Sequence, residues 1–488
     1  MSHKEAVYTI GVPAYWATLT PPLQHSLVGD GVIEHQFDPL IRMGEKGITE
    51  PLGAKSWEFS ADRKVLRFKI DTSRRFSDGS YVTAEDFKRS WEDGLRMDPK
   101  SANSSLSDGL GNIQGFSEFA DKGTLMGVRV TDKDTLELSF IKPVRLVLEH
   151  LAGGRFSVYK MKDGQPIGTG PYIITEKDKE LTLTPNPYYT GPAAGLKVVK
   201  IIVTTPDAAL EKLRAGAIDA FLFAETASLS GCLEGKLAPI QCAYGQEGGH
   251  MIAGINGRPG RFFSDPQHRL AFQALILKNI SQAETAFSAR GFMRDDQSFL
   301  KFQSGRIPEE EAQQIIKSGE AYIQRFIKDT QTAPLYLSAA SRGWQWIIDC
   351  LLANGVKLSG ESRVDFTAAE FWEMYYKTFE PDIMPMGASV SDGDPDGLYH
   401  LLGRQGAIFS PILERRETCD GMESGRDLLD FSRLTGHYQK VSKDILKEVP
   451  FVHLGYLYRR IAYNADRLTV NEPMISRNNL NILALEPR

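Results

Sequence analysis

Short runs of alternating apolar and polar residues repeat along the chain, separated by longer stretches whose apolar positions recur every three or four residues. VLRFKI, Val65 to Ile70, alternates as a half-buried strand does. It leads into FSDGSYVTAEDFKRSWEDGL, where Phe76-Ser77-Asp78-Gly79 is turn chemistry and Thr83-Ala84-Glu85-Asp86 resembles a capping box. Phe87, Ser90, Trp91 and Leu95 then share one helix face. GTGPYIITEKDKELTLTPNPYY predicts a glycine turn, a strand, a charged hairpin and a second strand, with Asn186-Pro187 opening the next loop. LKVVKIIVTTPDAALEKLRAGAIDAFLF predicts a βαβ-like unit: the helix starts at Pro206-Asp207 and stops at Gly216, and Leu210, Leu213 and Ile218 face inward. Farther on, Trp346 to Leu352 reads as a helix ended by Gly355, VKL as the start of a strand, FTAAEFWEMYYKTF as a helix, and Asp382 to Ser391 as a strand. Tyr438, Val441, Ile445 and Leu446 form a last helix face, stopped by Pro450 before the strand FVHLGYLY. Strands alternating with amphipathic helices predict an α/β architecture.

At 488 residues the chain exceeds what one hydrophobic core usually organises, so two or three domains are expected. A hydrophobic share of 42% and a charged share of 24% are those of an ordinary globular protein. The net charge of -5, without any Lys/Arg-rich run, offers nothing to nucleic acid. No apolar run approaches the roughly 18 residues of a membrane helix. The opening MSHKEAVYTIGV lacks a charged segment followed by an apolar one, so the reading allows either a leader already removed or a cytoplasmic chain.

The four cysteines, Cys232, Cys242, Cys350 and Cys419, have no metal-ligand spacing, and no metal or cofactor is expected. Cys232 and Cys242 are close enough in sequence to close a small disulfide in an oxidising compartment. GxSxG, GxxxxGK[ST] and HExxH are all absent, and GLGNIQG at Gly109 to Gly115 misses the dinucleotide spacing by one residue.

GASVSDGDPDG, Gly387 to Gly397, carries Asp392, Asp394 and Asp396 at alternate positions. As a calcium loop it fails, because its twelfth position is Gly403 rather than a bidentate Glu and Pro395 lies inside it. An Asx-rich turn capping a helix near Leu398, with Asp394 or Asp396 as N-cap, is the plainer structural reading. Asp392 and Asp394 as an acid–base pair is an enzymatic alternative that nothing else in the chain supports.

PLGAKSWEFSADRKVLRFKIDTSRRFSDGSYVTAEDFKRSW, GTGPYIITE, TPNPYYTG, AALEKLRAGAIDA and INGRPGRFFSDPQHRLAFQALI, in this order, resemble the blocks of the extracytoplasmic solute-binding proteins of ABC transporters, oligopeptide/dipeptide/nickel-binding family. Tyr81 stands where that family usually has Pro. The last block matches through Asn256, Phe263, Asp265, Arg269 and Ala271. The resemblance implies a two-lobed periplasmic-binding-protein fold with an extra inserted domain: lobe I from 1–46, 168–255 and 458–488, the insertion 47–167, and lobe II 256–457. It also implies ligand buried between lobes that close on it. Thr83, Gly79, Gly170 and Asn186 would then serve the fold rather than the ligand.

In peptide-binding members of that family, a strand reading roughly Gly-Trp-x-Ala-Asp-Tyr lines the cleft, and its Asp pairs with the peptide's α-amino group. Aligned from Gly387, this chain places Ala388 at the Trp and Ser391 at the Asp, with Asp392 one residue later. A slip of one residue along a strand reverses the face a side chain occupies. The resemblance therefore implies Gly387, Ala388, Ser389, Ser391 and Asp392 as one wall and Tyr15 and Trp16 of VPAYWATLTP as the other. Packing within lobe I is the other role open to the two aromatics. Trp344, Phe371 and Trp372 are read as core.

The implied function is a monomeric, extracytoplasmic binding protein, not an enzyme. It would take a peptide or peptide-like solute and pass it to ABC permease subunits. A sugar conjugate, an opine-like compound, a chelate, or a receptor or scaffold that has lost transport are the alternatives.

Overall fold

The computed structural model describes residues 6–24, 26–44, 49–97, 110–143, 145–222, 227–232, 235–287, 292–301, 303–339, 342–366, 380–388, 395–403, 417–471 and 482–488. The chain divides into two compact units, Met1–Gln246 with Arg460–Arg488, and Glu247–Arg459. It passes between them inside two long strands, Ile240–Ile255 and Phe451–Asn464.

In the first unit the strand Val7–Val12 runs parallel to Val198–Val203 on one side and to Ala220–Leu222 on the other. The predicted βαβ-like unit is therefore corrected in one respect. Its two strands and its helix Pro206–Arg214 exist as expected, but the amino-terminal strand lies between the strands. Gly11 permits that close fit, since a Cβ there would come within 3.1 Å of Thr204, Phe221 and Ile218. The hairpin Tyr172–Lys177 and Glu180–Pro185 extends the sheet beyond Val198–Val203, and Ile461 to Tyr463 extend it beyond Ala220–Leu222. Ile10, Val12, Val28, Val32, Leu183, Val199 and Leu485 fill the core beneath.

A separate hydrophobic cluster lies within the same unit. Strands Ala54–Phe59, Val65–Ile70, Thr135–Ser139 and Val128–Asp132 form an antiparallel sheet in that spatial order. Val65–Ile70 buries alternate residues, as its pattern predicts. The helix Ala84–Met97 lays Phe87, Trp91 and Leu95 on this cluster. At its start the backbone N–H and hydroxyl of Thr83 both donate to Asp86 Oδ2 at 2.8 Å, closing the expected cap.

Gly79 has φ +86° and needs glycine's conformational freedom. Gly170 lies in the bend before Tyr172–Lys177, as its turn reading expects, but without a positive φ. A Cβ at Gly170 would sit 2.6 Å from the Gln36 carbonyl carbon, so the residue is small because two backbones meet there. Asn186 accepts from Tyr188 N–H and donates to Gly170 O, holding the loop after the hairpin. Asp219, from the AGAIDA block, accepts from Thr9 N–H at 2.7 Å and from Arg467. Cys232 and Cys242 are joined as a disulfide with Cα atoms 5.4 Å apart.

The second unit is built on the helices Pro266–Lys278, Gln345–Ala353 and Leu434–Glu448 and on the strand Ile383–Ala388. Asp265 caps the first helix by accepting from Gln267 N–H, with Pro266 at its first position. Arg269 ties that helix to two other segments, donating to Glu448 O and Phe263 O. Trp344 is core, as expected. The strand predicted at VKL reduces to a single parallel bridge, Leu335 with Leu358, while Gly355 before it has φ +80° as a helix stop should. Leu434–Glu448 ends at Val449 in the left-handed region, with Pro450 beyond. Phe371 and Trp372 lie outside the described residues. Among the described residues no helix is long and apolar enough to cross a membrane.

Candidate functional site

The strand Ile383–Ala388 carries the sequence-predicted site of the second unit. It pairs antiparallel with the crossing strand from Ile255 opposite Ile383 to His250 opposite Ala388, and Leu337 bridges Ile383 in parallel on its other side. Met384 and Met386 are buried in one cluster while Ile383 packs into another, which fixes the strand's register through its own side chains. Gly387 is exposed. Ala388 is the last described residue before the aspartate run; Ser389, Ser391, Asp392 and Asp394 lie outside the described residues.

Asp396 is described, and the cap reading does not hold for it. It sits within the turn Pro395–Leu398 and is buried, with Arg426 Nε 3.1 Å from one oxygen and the Tyr438 hydroxyl 3.5 Å from the other. Arg426 also lies over the Tyr399 ring at 3.8 Å. This carboxylate anchors two helices to the turn. It was read as a cap because its partners are 30 and 42 positions away, and no local spacing announces them.

In the first unit Tyr15 follows the strand Val7–Val12 by three residues, at the carboxyl edge of three parallel strands. The carboxyl edge of an α/β sheet, where connections leave to both sides, is where such sheets hold ligands. Tyr15 is 51% exposed, and Lys179 Nζ lies 5.4 Å from its ring centroid. Trp16, edge-on to Tyr15, is only 3% exposed and packs with Val28 and Val32 in the core. Its carbonyl accepts from Gln24 Nε2 at 2.6 Å. The structure thus separates the two neighbours, presenting Tyr15 to solvent and using Trp16 as packing. Lys179, on the charged hairpin, was not singled out from the sequence, because nothing near it signals a partner 164 positions earlier.

Across the unit-2 end of the crossing strands lies a group that sequence reasoning also missed. His250 Nδ1 is 3.1 Å from His453 Nε2, and His453 Nδ1 is 2.8 Å from Asp295 O. Both rings are buried and pack edge-on or tilted against Tyr456, whose hydroxyl donates to Gln297 O at 3.1 Å. Burial holds the His453 imidazole below its ordinary range, despite the opposing pull of Asp295. The nine histidines are scattered in sequence, and the 203 positions between these two hide the pair.

Comparison with known proteins places these features. Residues 49–279 match the profile of the bacterial extracellular solute-binding proteins, family 5, middle region. The periplasmic murein peptide-binding protein MppA of Escherichia coli (strain K12) is 29% identical over 221 residues. The matched region, residues 49–279, is similar to family 5 of the bacterial extracellular solute-binding proteins. The MppA match covers 42% of this chain and spans 41% of that relative's length.

Two solved family structures share the fold along almost the whole length. The periplasmic binding protein DppA of Helicobacter pylori, in complex with the peptide STSA, has a TM-score of 0.77 at 18% identity, covering 99% of this chain and 98% of that one. The binding protein AgaA from A. tumefaciens R10, in complex with agropinic acid, has a TM-score of 0.75 at 18% identity, covering 99% of each. The chain therefore has the two-lobed fold of this family. The family is one of binding proteins rather than enzymes. Among the described residues no group of three or more His, Cys, Asp or Glu could hold a metal ion.

Proposed function

We propose that this chain is the solute-binding component of an ABC transporter, capturing a short peptide or peptide-like solute outside the cytoplasm and delivering it to membrane permease subunits. The observation that carries the reading is the match to MppA, a periplasmic murein peptide-binding protein, beside the matched family region. The Cys232–Cys242 disulfide suits an oxidising compartment. On this reading one lobe is discontinuous, 1–46, 168–255 and 458–488, with 47–167 as an inserted domain, and 256–457 forms the second lobe. The protein works as a monomer, without catalysis and without a cofactor. Tyr15, Gly387, Ala388, Ser389, Ser391 and Asp392 contact the solute, and Trp16 supports Tyr15 from below.

Native mass spectrometry of protein purified from its own host tests the reading directly, because a co-purifying peptide mass supports it and a sugar- or chelate-sized mass replaces it. With a free-amine tripeptide in hand, Asp392→Asn should weaken binding by about 2–5 kcal/mol, the cost of removing one partner of a buried charge pair. N-acetylation of the peptide should cost a comparable amount, and the two losses should not add. A silent Asp392→Asn, with acetylated and free peptides bound alike, favours the second reading. That reading is a neutral or anionic solute, and it draws on Ser391 standing in the aligned position of the family's ammonium-binding Asp.

A further inference from the structure

Tyr15 and Lys179 meet at one edge of the first unit's sheet, and backbone geometry fixes each of them there. In the hairpin, Lys177 pairs with Glu180, and Leu181 lies opposite Ile201 of the neighbouring strand. The two-residue tip, Asp178-Lys179, therefore stands beside the carboxyl end of Val198–Val203, the same edge at which Val7–Val12 ends. A tight hairpin turn of this kind needs positive φ at both central residues, and Asp178 and Lys179 have φ 53° and 63°. On the other side Ala17 has φ 59°, a strained value for a residue with a Cβ and one that recurs where backbone holds a ligand. The turn is closed by Thr18 N–H donating to Trp16 O at 2.6 Å, and the Trp16 indole is buried in the core. Anchored indole and strained turn together hold Tyr15 at the edge, in solvent.

The chemistry left unspent there is specific. The Lys179 ammonium lies over the Tyr15 ring, which attracts the charge without neutralising it. Among the described residues, no carboxylate forms an ion pair with Lys179, not even its neighbours Asp178 and Glu180, and the Tyr15 hydroxyl holds no hydrogen bond. An ammonium has donors only, and a phenol can donate as well. The group that satisfies both is an anionic oxygen acceptor, bound through charge-assisted hydrogen bonds.

We propose that Tyr15 and Lys179 read a carboxylate on the solute: the ammonium takes up the anion while the ring keeps it in place, and the phenol hydroxyl donates to the same group. This rests on the solute-binding reading above and adds what the solute must carry. The carboxylate can be the free end of a peptide or part of a non-peptide acid.

The experiment titrates the full chain calorimetrically with three probes: trialanine, trialanine amide and the opine-type acid N-(1-carboxyethyl)arginine. Wild type is compared with Lys179→Gln, Lys179→Arg and Tyr15→Phe. For whichever acid wild type binds, Lys179→Gln should weaken binding about tenfold and Tyr15→Phe about threefold, the usual scale of a charge-assisted and a neutral hydrogen bond. Lys179→Arg, which keeps the charge, should change it by less than about twofold. If the peptide end is the source, trialanine amide should bind about tenfold more weakly than trialanine and be indifferent to Lys179→Gln. If only the opine-type acid binds and weakens, the carboxylate assignment stands and the peptide reading falls. Trialanine and its amide bound alike, with Lys179→Gln silent, keeps the peptide reading and overturns the inference. Equal losses for acid and amide in Lys179→Gln, or failure of wild type to bind either acid, also overturns it.

Discussion

His35 in the first unit and the His250–His453 pair in the second are both imidazole sites cut off from water, yet a proton meets them differently. His35 donates through Nδ1 to Gly31 O at 2.8 Å and accepts through Nε2 from Ile482 N–H at 2.9 Å. Both nitrogens of one neutral ring are committed, so a proton can enter only by expelling the Ile482 N–H. Burial lowers this imidazole to about 4, against the raising effect of the hydrogen bonds to Gly31 and Val32. The pair in the second unit spreads its bonds over two rings, which bond to each other and, through His453, to Asp295 O. What a proton must displace at each place is set by the partners that the rings already hold, since both places are buried.

The largest expected effect is at His35. Its folded value lies below the unfolded one, so its contribution is complete above about pH 6.5 and is lost as pH falls through about 4. A depression from 6.5 to about 4 corresponds to about 3 kcal/mol. Urea unfolding at pH 7 and pH 4 should therefore show the gap between wild type and His35→Gln shrinking by about that amount. A gap independent of pH would break the comparison. Next comes His453→Ala, which strips Asp295 O and His250 Nδ1 of a partner at once. It should cost about 1–3 kcal/mol by the usual penalty for orphaned buried groups, read as faster exchange in the strand Phe451–Asn464. Tyr456→Phe should have the smallest effect, about 1 kcal/mol, because the ring contacts to both histidines stay and only the bond to Gln297 O goes. It sharpens the comparison, since a much larger loss would give the hydroxyl, rather than the ring contacts, the main share in holding the pair.

What the sequence made legible was local. The Thr83–Asp86 cap, the alternation of Val65–Ile70, the glycine stops at 216 and 355 and the core role of Trp344 each depend on residues within a few positions of one another. The order of family blocks added the fold. Illegible were the features made by distant partners: the amino-terminal strand between two later ones, the backbone contact that makes residue 170 a glycine, Asp396 against Arg426, and Lys179 over Tyr15. The candidate site suffers most from this. A strand fixes which residues share a face, but one residue's slip exchanges Ser391 for Asp392, and spacing alone does not settle which of them meets solute.

The central place of Val7–Val12 in its sheet has a consequence for the order in which the protein can be made. Its partners begin at Val198 and Ala220, and the bond between His35 and Ile482 spans 447 positions. The second unit, a continuous run from Glu247 to Arg459, has all its parts before the last of the first unit emerges. The amino-terminal strand therefore waits unpaired until its partners up to Leu222 have been made, and completion of its unit by Arg460–Arg488 is a late, long-range event. This half of the molecule is begun early and finished last, so a chain halted before Val198 still carries an unpaired strand Val7–Val12 that a chaperone can hold.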